Sequence, residues 1–105
     1  MKIVLICAGG MSSSILSSRM TQAIIDKGLD ASVSAHGVSS VEKHAVGADV
    51  VLVGPQIRYM LPIITQKVSP IPVAMIDMRD YGTANAVNVL NQALALIKET
   101  YNERL

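Results

Sequence analysis

The run Val50-Val51-Leu52-Val53 is apolar at every position and almost entirely β-branched. Such a run is expected of a central strand buried on both faces, and strands of that kind belong to parallel sheets covered by helices on either side. The N-terminal run from Lys2 to Ile6 has the same character. It ends at Cys7-Ala8-Gly9-Gly10-Met11, a glycine-containing loop, and then Ser12-Ser13-Ser14, which reads as strand, loop and helix start. Half of the residues are hydrophobic but the only aromatics are three Tyr, so the core between sheet and helices is built from Val, Ile, Leu, Met and Ala.

The remaining elements follow from periodicity and punctuation. Leu16, Met20, Ala23 and Ile24 recur on one helical face, and Lys27-Gly28 supplies a basic last turn and a glycine stop, so the first helix is expected over about Ser13 to Lys27. Asp30 to His36 reads as a weak second strand, rich in Ser and Ala, suited to an edge. Ser39 and Glu42 form a capping box for a short helix ended by Gly47. Gly54-Pro55-Gln56 follows the third strand; Pro55 suits a first helical turn, and Pro62 predicts a kink or break. Pro72 to Ile76 is the fourth strand and Asp77 to Gly82 a loop. Thr83 caps a long last helix with the stripe Val87, Leu90, Leu94, Ile97 and Tyr101.

Four strand-helix repeats predict an α/β fold: a four-stranded parallel sheet with right-handed crossovers and helices on both faces. The natural doubly wound order is 2-1-3-4, with its topological switch between strands one and three. Ligands bind such sheets at the carboxyl edge beside the switch, where the loops beginning at Cys7 and Gly54 lie.

A chain of 105 residues suits one domain, residues 1–105, and is too short for two independent cores. Net charge is +1 and the basic residues are dispersed, so no nucleic-acid footprint is visible. No apolar run approaches the roughly 20 residues of a bilayer span, which excludes direct membrane insertion. The start resembles a lipoprotein signal only superficially: its apolar run is shorter than the roughly 7 to 15 residues of a signal core. Bulky Ile6 also occupies the position before Cys7 where cleavage requires a small residue. A cytoplasmic protein with a single reduced thiol is expected.

Cys7 sits after strand one with Gly9-Gly10 behind it and a helix N-terminus ahead. Unpaired N–H groups of a first helical turn and the helix dipole favour an anion there, and glycines let the backbone curl around a tetrahedral oxyanion. The same field makes Cys7 a better nucleophile than an ordinary cysteine. The plain alternative is a structural cysteine beside a βα turn. Its position at the switch favours phosphoryl acceptance. The loop resembles that of the low-molecular-weight phosphotyrosine phosphatases, in which Cys and Arg are separated by five residues; here that position is Ser13. Without a guanidinium to stabilise hydrolysis, a phosphoryl group on Cys7 is expected to persist.

Over nearly its whole length the chain resembles the lactose/cellobiose class of phosphotransferase-system IIB components. The resemblance is carried by Cys7-Ala8-Gly9-Gly10-Met11-Ser12-Ser13-Ser14, by Ala48-Asp49-Val50-Val51-Leu52-Val53-Gly54-Pro55-Gln56-Ile57 with Tyr59-Met60-Leu61-Pro62, and by Ile76-Asp77 and Tyr81-Gly82. It implies a route in which phosphohistidine of a IIA component donates to Cys7, which donates in turn to a sugar held by the membrane-embedded IIC component. The substrates implied are β-linked disaccharides, and contact with the membrane runs through IIC. Ala8-Gly9 replaces the Ser-Ala or similar small pair common in that family, a change that keeps the loop compact.

Ser12, Ser13 and Ser14 offer hydroxyls to phosphoryl oxygens, with one of the three needed as helix cap. Gln56 and Arg58 open the helix beside the Cys7 loop, either as a solvated first turn or as contacts for the phosphoryl group or the IIA partner. Tyr81 is a candidate for lining the cleft, whereas Asp77 and Asp80 suit turn roles. His36 is read as a surface or loop histidine, and His44 as a favourable charge at a helix C-terminus. No His, Asp or Cys cluster has metal-ligand spacing, and neither a metal nor a cofactor is expected. The rival readings are a phosphatase or arsenate reductase using the same loop, and a non-catalytic binding module that inherited the fold. Nucleotide binding is disfavoured because Cys7 to Ser14 contains neither a dinucleotide nor a lysine-bearing phosphate motif.

Overall fold

A computed structural model describes residues 1–8 and 12–104, with the side chains of Ser12, Ser13 and Arg104 outside that description. The strands are β1 (Lys2–Cys7), β2 (Ser32–Gly37), β3 (Val50–Val53) and β4 (Val73–Met75). The helices are α1 (Ser12–Lys27), α2 (Val41–His44), α3 (Leu61–Val68), α4 (Met78–Gly82) and α5 (Ala86–Arg104). All strand pairs are parallel and the order is β2-β1-β3-β4, as the alternation predicts.

Alternation along β1 and β3 divides the interior into two layers. Ile3, Leu5, Val50 and Leu52 pack with Leu16, Met20 and Ile24 of α1 and with Val89, Leu90 and Ala93 of α5. Val4, Ile6, Val51 and Val53 face the other way, onto Val41 and Ala45 of α2 and Ile64 and Val68 of α3. These four-residue segments are sealed on both faces, which is why they contain no polar residue. Each large side chain so buried contributes roughly 1.5–3 kcal/mol over an exposed one.

The first helix ends as its glycine predicts. Gly28 has φ +65°, its N–H donates to Ile25 O (3.1 Å), and the Leu29 N–H reaches Ile24 O (3.0 Å), a six-to-one closure that a left-handed residue permits. The sheet's outer strands are treated differently. β2 has no strand beyond it, while the short β4 is bridged by Gln92 of α5, whose Nε2 donates to Met75 O at 2.8 Å.

At the helix ends the local chemistry agrees with the sequence expectation at Pro62 and differs elsewhere. The Ser39 capping box does not form: Val38–Ser40 is a 3₁₀ turn, Ser40 Oγ donates back to Gly37 O (3.4 Å), and α2 has no side-chain cap. Tertiary packing of Val41 and Ala45 holds this single turn instead. The break expected near Pro62 falls just before it. A 3₁₀ segment, Pro55–Met60, gives way to α3 at Leu61, so Pro62 occupies the opening turn, where its missing N–H costs nothing.

The segment expected as a loop after Asp77 is the short helix α4, because Asp77 Oδ1 accepts the N–H groups of Arg79 (2.9 Å) and Asp80 (3.2 Å). Thr83 closes α4 rather than opening the last helix, and its Oγ1 donates to Arg79 O (2.9 Å). Ala84 turns the chain at φ +49°, and Asn85 Oδ1 caps α5 by accepting the Asn88 N–H at 3.2 Å. Starting later, α5 presents Ala86, Val89, Leu90 and Ala93 to the sheet. Val87 and Tyr101, expected in the stripe, are 48% and 63% exposed. Small residues let the helix lie close, which a stripe of large residues alone does not reveal.

Because Asp77 satisfies two otherwise orphaned amides, Asp77→Ala is expected to cost about 1 kcal/mol of unfolding free energy, with Asp77→Asn recovering most of it. Urea denaturation followed by circular dichroism measures both.

Candidate functional site

Cys7 is the last residue of β1 and is 2% exposed. Alternation places it on the side of the sheet covered by α1, whose first turn begins at Ser12. It is flanked by two glycines from the neighbouring strands. On β2, Gly37 is its register partner, and a Cβ built there would lie 3.7 Å from Ala8 O and 4.0 Å from Cys7 O. After β3, the Gly54 N–H donates to Ile6 O (2.8 Å), and a Cβ built on Gly54 would lie 3.6 Å from Cys7 Cβ and 3.2 Å from Gln56 Oε1. Gln56 and the cysteine thus border the same small space, so the loops beginning at Cys7 and Gly54 do meet at the switch between β1 and β3.

The other anticipated residues fall into distinct groups. Ala8 is exposed beyond the strand end, and Ser14 is exposed in the first turn of α1, its carbonyl accepting Ser17 Oγ at 3.0 Å. Gly9, Gly10 and Met11, and the side chains of Ser12 and Ser13, lie outside the described residues. Arg58 is exposed in the 3₁₀ segment after Gly54. Tyr81 is half-buried against the core layer shared by α1 and α5. Asp77 and Asp80, expected in a turn, have structural roles in a helix instead: Asp77 caps α4, and Asp80 Oδ1 accepts Asn88 Nδ2 at 3.1 Å, tying α4 to α5.

Sequence reasoning did not anticipate Arg19, whose Nη1 donates to Thr83 O (3.5 Å) and Ala84 O (3.4 Å), linking α1 to the α4–α5 turn. Nor did it join His36 to His44. Their rings stack at 3.5 Å, so His36 is a half-buried residue with a ring partner rather than a plain surface histidine.

A depression of about 640 Å³ lined by Asp77, Met78, Arg79, Asp80 and Asn88 lies on the β4 side. A smaller cavity of about 190 Å³, between Ala48, Asp49, Pro70, Pro72 and Tyr101, lies at the opposite edge, where β3 and β4 begin. Among the described residues, no helix is long and apolar enough to cross a membrane.

The family model for the lactose/cellobiose-specific IIB subunit of the phosphotransferase system matches residues 2–92. The cellobiose-specific EIIB component of Lactococcus lactis subsp. lactis is 35% identical over 98 residues, covering 87% of this chain and 91% of the relative. The oligo-beta-mannoside-specific EIIB component of Bacillus subtilis is 34% identical, covering 91% of this chain and 95% of the relative. The solution structure of the cellobiose-specific IIB component from Borrelia burgdorferi superposes with a TM-score of 0.80 at 32% identity, covering 94% of this chain and 93% of that one. The chain belongs to the lactose/cellobiose-specific IIB family of the phosphotransferase system. Membership makes it a phosphotransferase-system component that works with IIA and IIC components.

The contact between Gly54 and Cys7 gives a direct test of the site. Gly54 has ordinary extended angles (φ −63°, ψ 144°), so Gly54→Val is expected to fold, but its branched side chain occupies the space shared by Cys7 and Gln56. Alkylation of Cys7 by iodoacetamide should slow by about tenfold or more relative to wild type, an effect of roughly 1.4 kcal/mol on the barrier.

Proposed function

We propose that Cys7 is the phosphoryl-carrying residue of this IIB component. The observation that carries the reading is the placement of a buried thiol at the carboxyl end of β1, between Gly37 and Gly54 and facing the start of α1. A helix N-terminus supplies amide donors and a positive field for phosphoryl oxygens, and glycine neighbours leave room for them. In this reading, residues Ala8 to Ser14 cradle the phosphoryl group. The thiolate attacks phosphorus of a phosphohistidine on IIA, the N–P bond breaks, and the imidazole leaves. In the second step a hydroxyl of a sugar bound to IIC attacks phosphorus, the S–P bond breaks, and the hydroxyl proton is released. The protein then acts in the cytoplasm, reaching the membrane through IIC, and the sugar is of the β-linked disaccharide type handled by the relatives.

The surface around Cys7 supports transfer between proteins rather than capture of a free metabolite. Ile15, Tyr59, Met78 and Val87 are exposed apolar side chains. Each lies in an early turn of a segment that follows Cys7, β3 or β4, so topology gathers them at the edge that holds the cysteine. An apolar rim around a buried nucleophile suits a docking face for IIA, with Gln56, Arg58 and Tyr81 as contacts inside or beside it.

Cys7→Ser is expected to fold normally, to take up no phosphoryl group from phosphorylated IIA, and to lower sugar phosphorylation by more than about a hundredfold. Intact-mass spectrometry and a coupled transfer assay measure both; transfer at the wild-type rate by the mutant rejects the proposal. Phosphoryl transfer from purified phospho-IIA to the wild-type protein is expected to be unchanged by EDTA, since the backbone supplies the positive field. Loss of transfer on chelation would require a metal in the step.

A further inference from the structure

The stacked histidines lie within reach of the Cys7 turn through one short segment. His36 is the penultimate residue of β2 and His44 the last of α2; their ring centroids are 3.5 Å apart and their planes 6° from parallel. His36 pairs in register with Ile6, so its ring lies on the layer that contains Val41 and Ala45 of α2, and its Nε2 is 3.0 Å from Ser34 Oγ. On this outer strand the apolar layer gives way to Ser34 and His36, and His44 completes the cover. Parallel rings keep their in-plane nitrogen lone pairs parallel, so the arrangement suits mutual packing rather than chelation of one ion.

Between the two rings, the chain passes directly by the phosphoryl-transfer turn. Gly37 follows His36, pairs with Cys7, and lies against the carbonyls of Cys7 and Ala8. The Val38–Ser40 turn then leads back to α2, with Ser40 Oγ donating to Gly37 O at 3.4 Å. Residues 36–44 therefore form a closed segment, held at its ends by the ring stack, with Gly37 against the Cys7–Ala8 backbone. We infer that the His36–His44 stack is a positioning brace that sets the Cys7–Ala8 turn through Gly37, and that protonation of His36 in mild acid loosens it.

The charges around the pair support acid release. Burial, then the neighbouring His44 of α2, then Lys2 of β1 hold the His36 pKa below its ordinary value of 6.5. The ammonium of Lys2 repels an imidazolium at His36. The carboxylate of α2, Glu42, is turned to Lys67 of α3 (3.5 Å), and Lys43 is exposed. Since the folded state binds the His36 proton more weakly than the unfolded chain, the stabilisation is present above the unfolded value of 6.5 and is lost as pH falls through the lower folded value.

The effect on transfer rests on the assignment of phosphoryl chemistry to Cys7; the structural effect on the turn does not. Amide NMR of the unphosphorylated protein, from about pH 8 to about pH 5, tests the structural part. The Ala8 and Gly37 amides are expected to follow the histidine titration, and His44→Ala should shift them toward their acid positions even at neutral pH. The rate of phosphoryl uptake from IIA tests the other part through His36→Phe, which keeps a ring to stack but cannot be protonated. Its rate relative to wild type should be near unity at about pH 7.5 and rise to about threefold or more at about pH 5.5, a ratio in which effects common to both proteins cancel. Ala8 and Gly37 amides that ignore the titration, or superimposable pH profiles, overturn the inference. A wild-type protein that takes up no phosphoryl group at any pH removes the transfer assignment, while the NMR result still decides the brace.

Discussion

Everything at the Cys7 edge depends on the burial of β1 and β3 on both faces. Their side chains alternate between a layer closed by α1 and α5 and a layer closed by α2 and α3, and Ile3, Leu5, Val50, Val51, Leu52 and Val53 are fully enclosed. Two adjacent parallel strands sealed in this way cannot slip by one residue without sending every side chain into the wrong layer. That fixes the height at which β1 ends. It also fixes Cys7 opposite Gly37 and beside Gly54.

Cys7 is consequently buried at the end of β1, between Gly37 and Gly54. A Cβ on Gly54 would lie 3.6 Å from Cys7 Cβ and 3.2 Å from Gln56 Oε1, whereas one on Gly37 would meet the backbone carbonyls of Cys7 and Ala8. The more enclosed cavity lies at the other end of the strands, away from this chemistry. The surrounding connectors are held by polar contacts: Asp77 caps α4, Asn85 caps α5, Asn88 donates to Asp80 across the two helices, and Arg19 ties the turn between them to α1.

Where sequence patterns were local and repeated, they carried the architecture. The apolar runs marked β1 and β3, Lys27-Gly28 marked the end of α1, and the alternation of elements led to the order β2-β1-β3-β4. The position of Cys7 after β1 was legible for the same reason. Caps were read less well, because several polar residues compete for each helix start and the winner depends on how the chain enters the packed layer. Ser39 lost to a 3₁₀ turn, while Asp77 and Asn85 took roles that had been assigned to a loop and to Thr83.

The sequence alone determined the class of fold, the switch point and the candidate nucleophile, since each follows from apolar periodicity, glycine placement and a single cysteine. Only the tertiary structure decided which residues from separate elements meet. Gly37 against Ala8, Gln56 over Gly54, Arg19 on the α4–α5 turn and His36 on His44 are contacts between segments brought together by packing. No spacing rule predicts them, because the distance between two side chains on different elements is set by how closely the intervening layers pack.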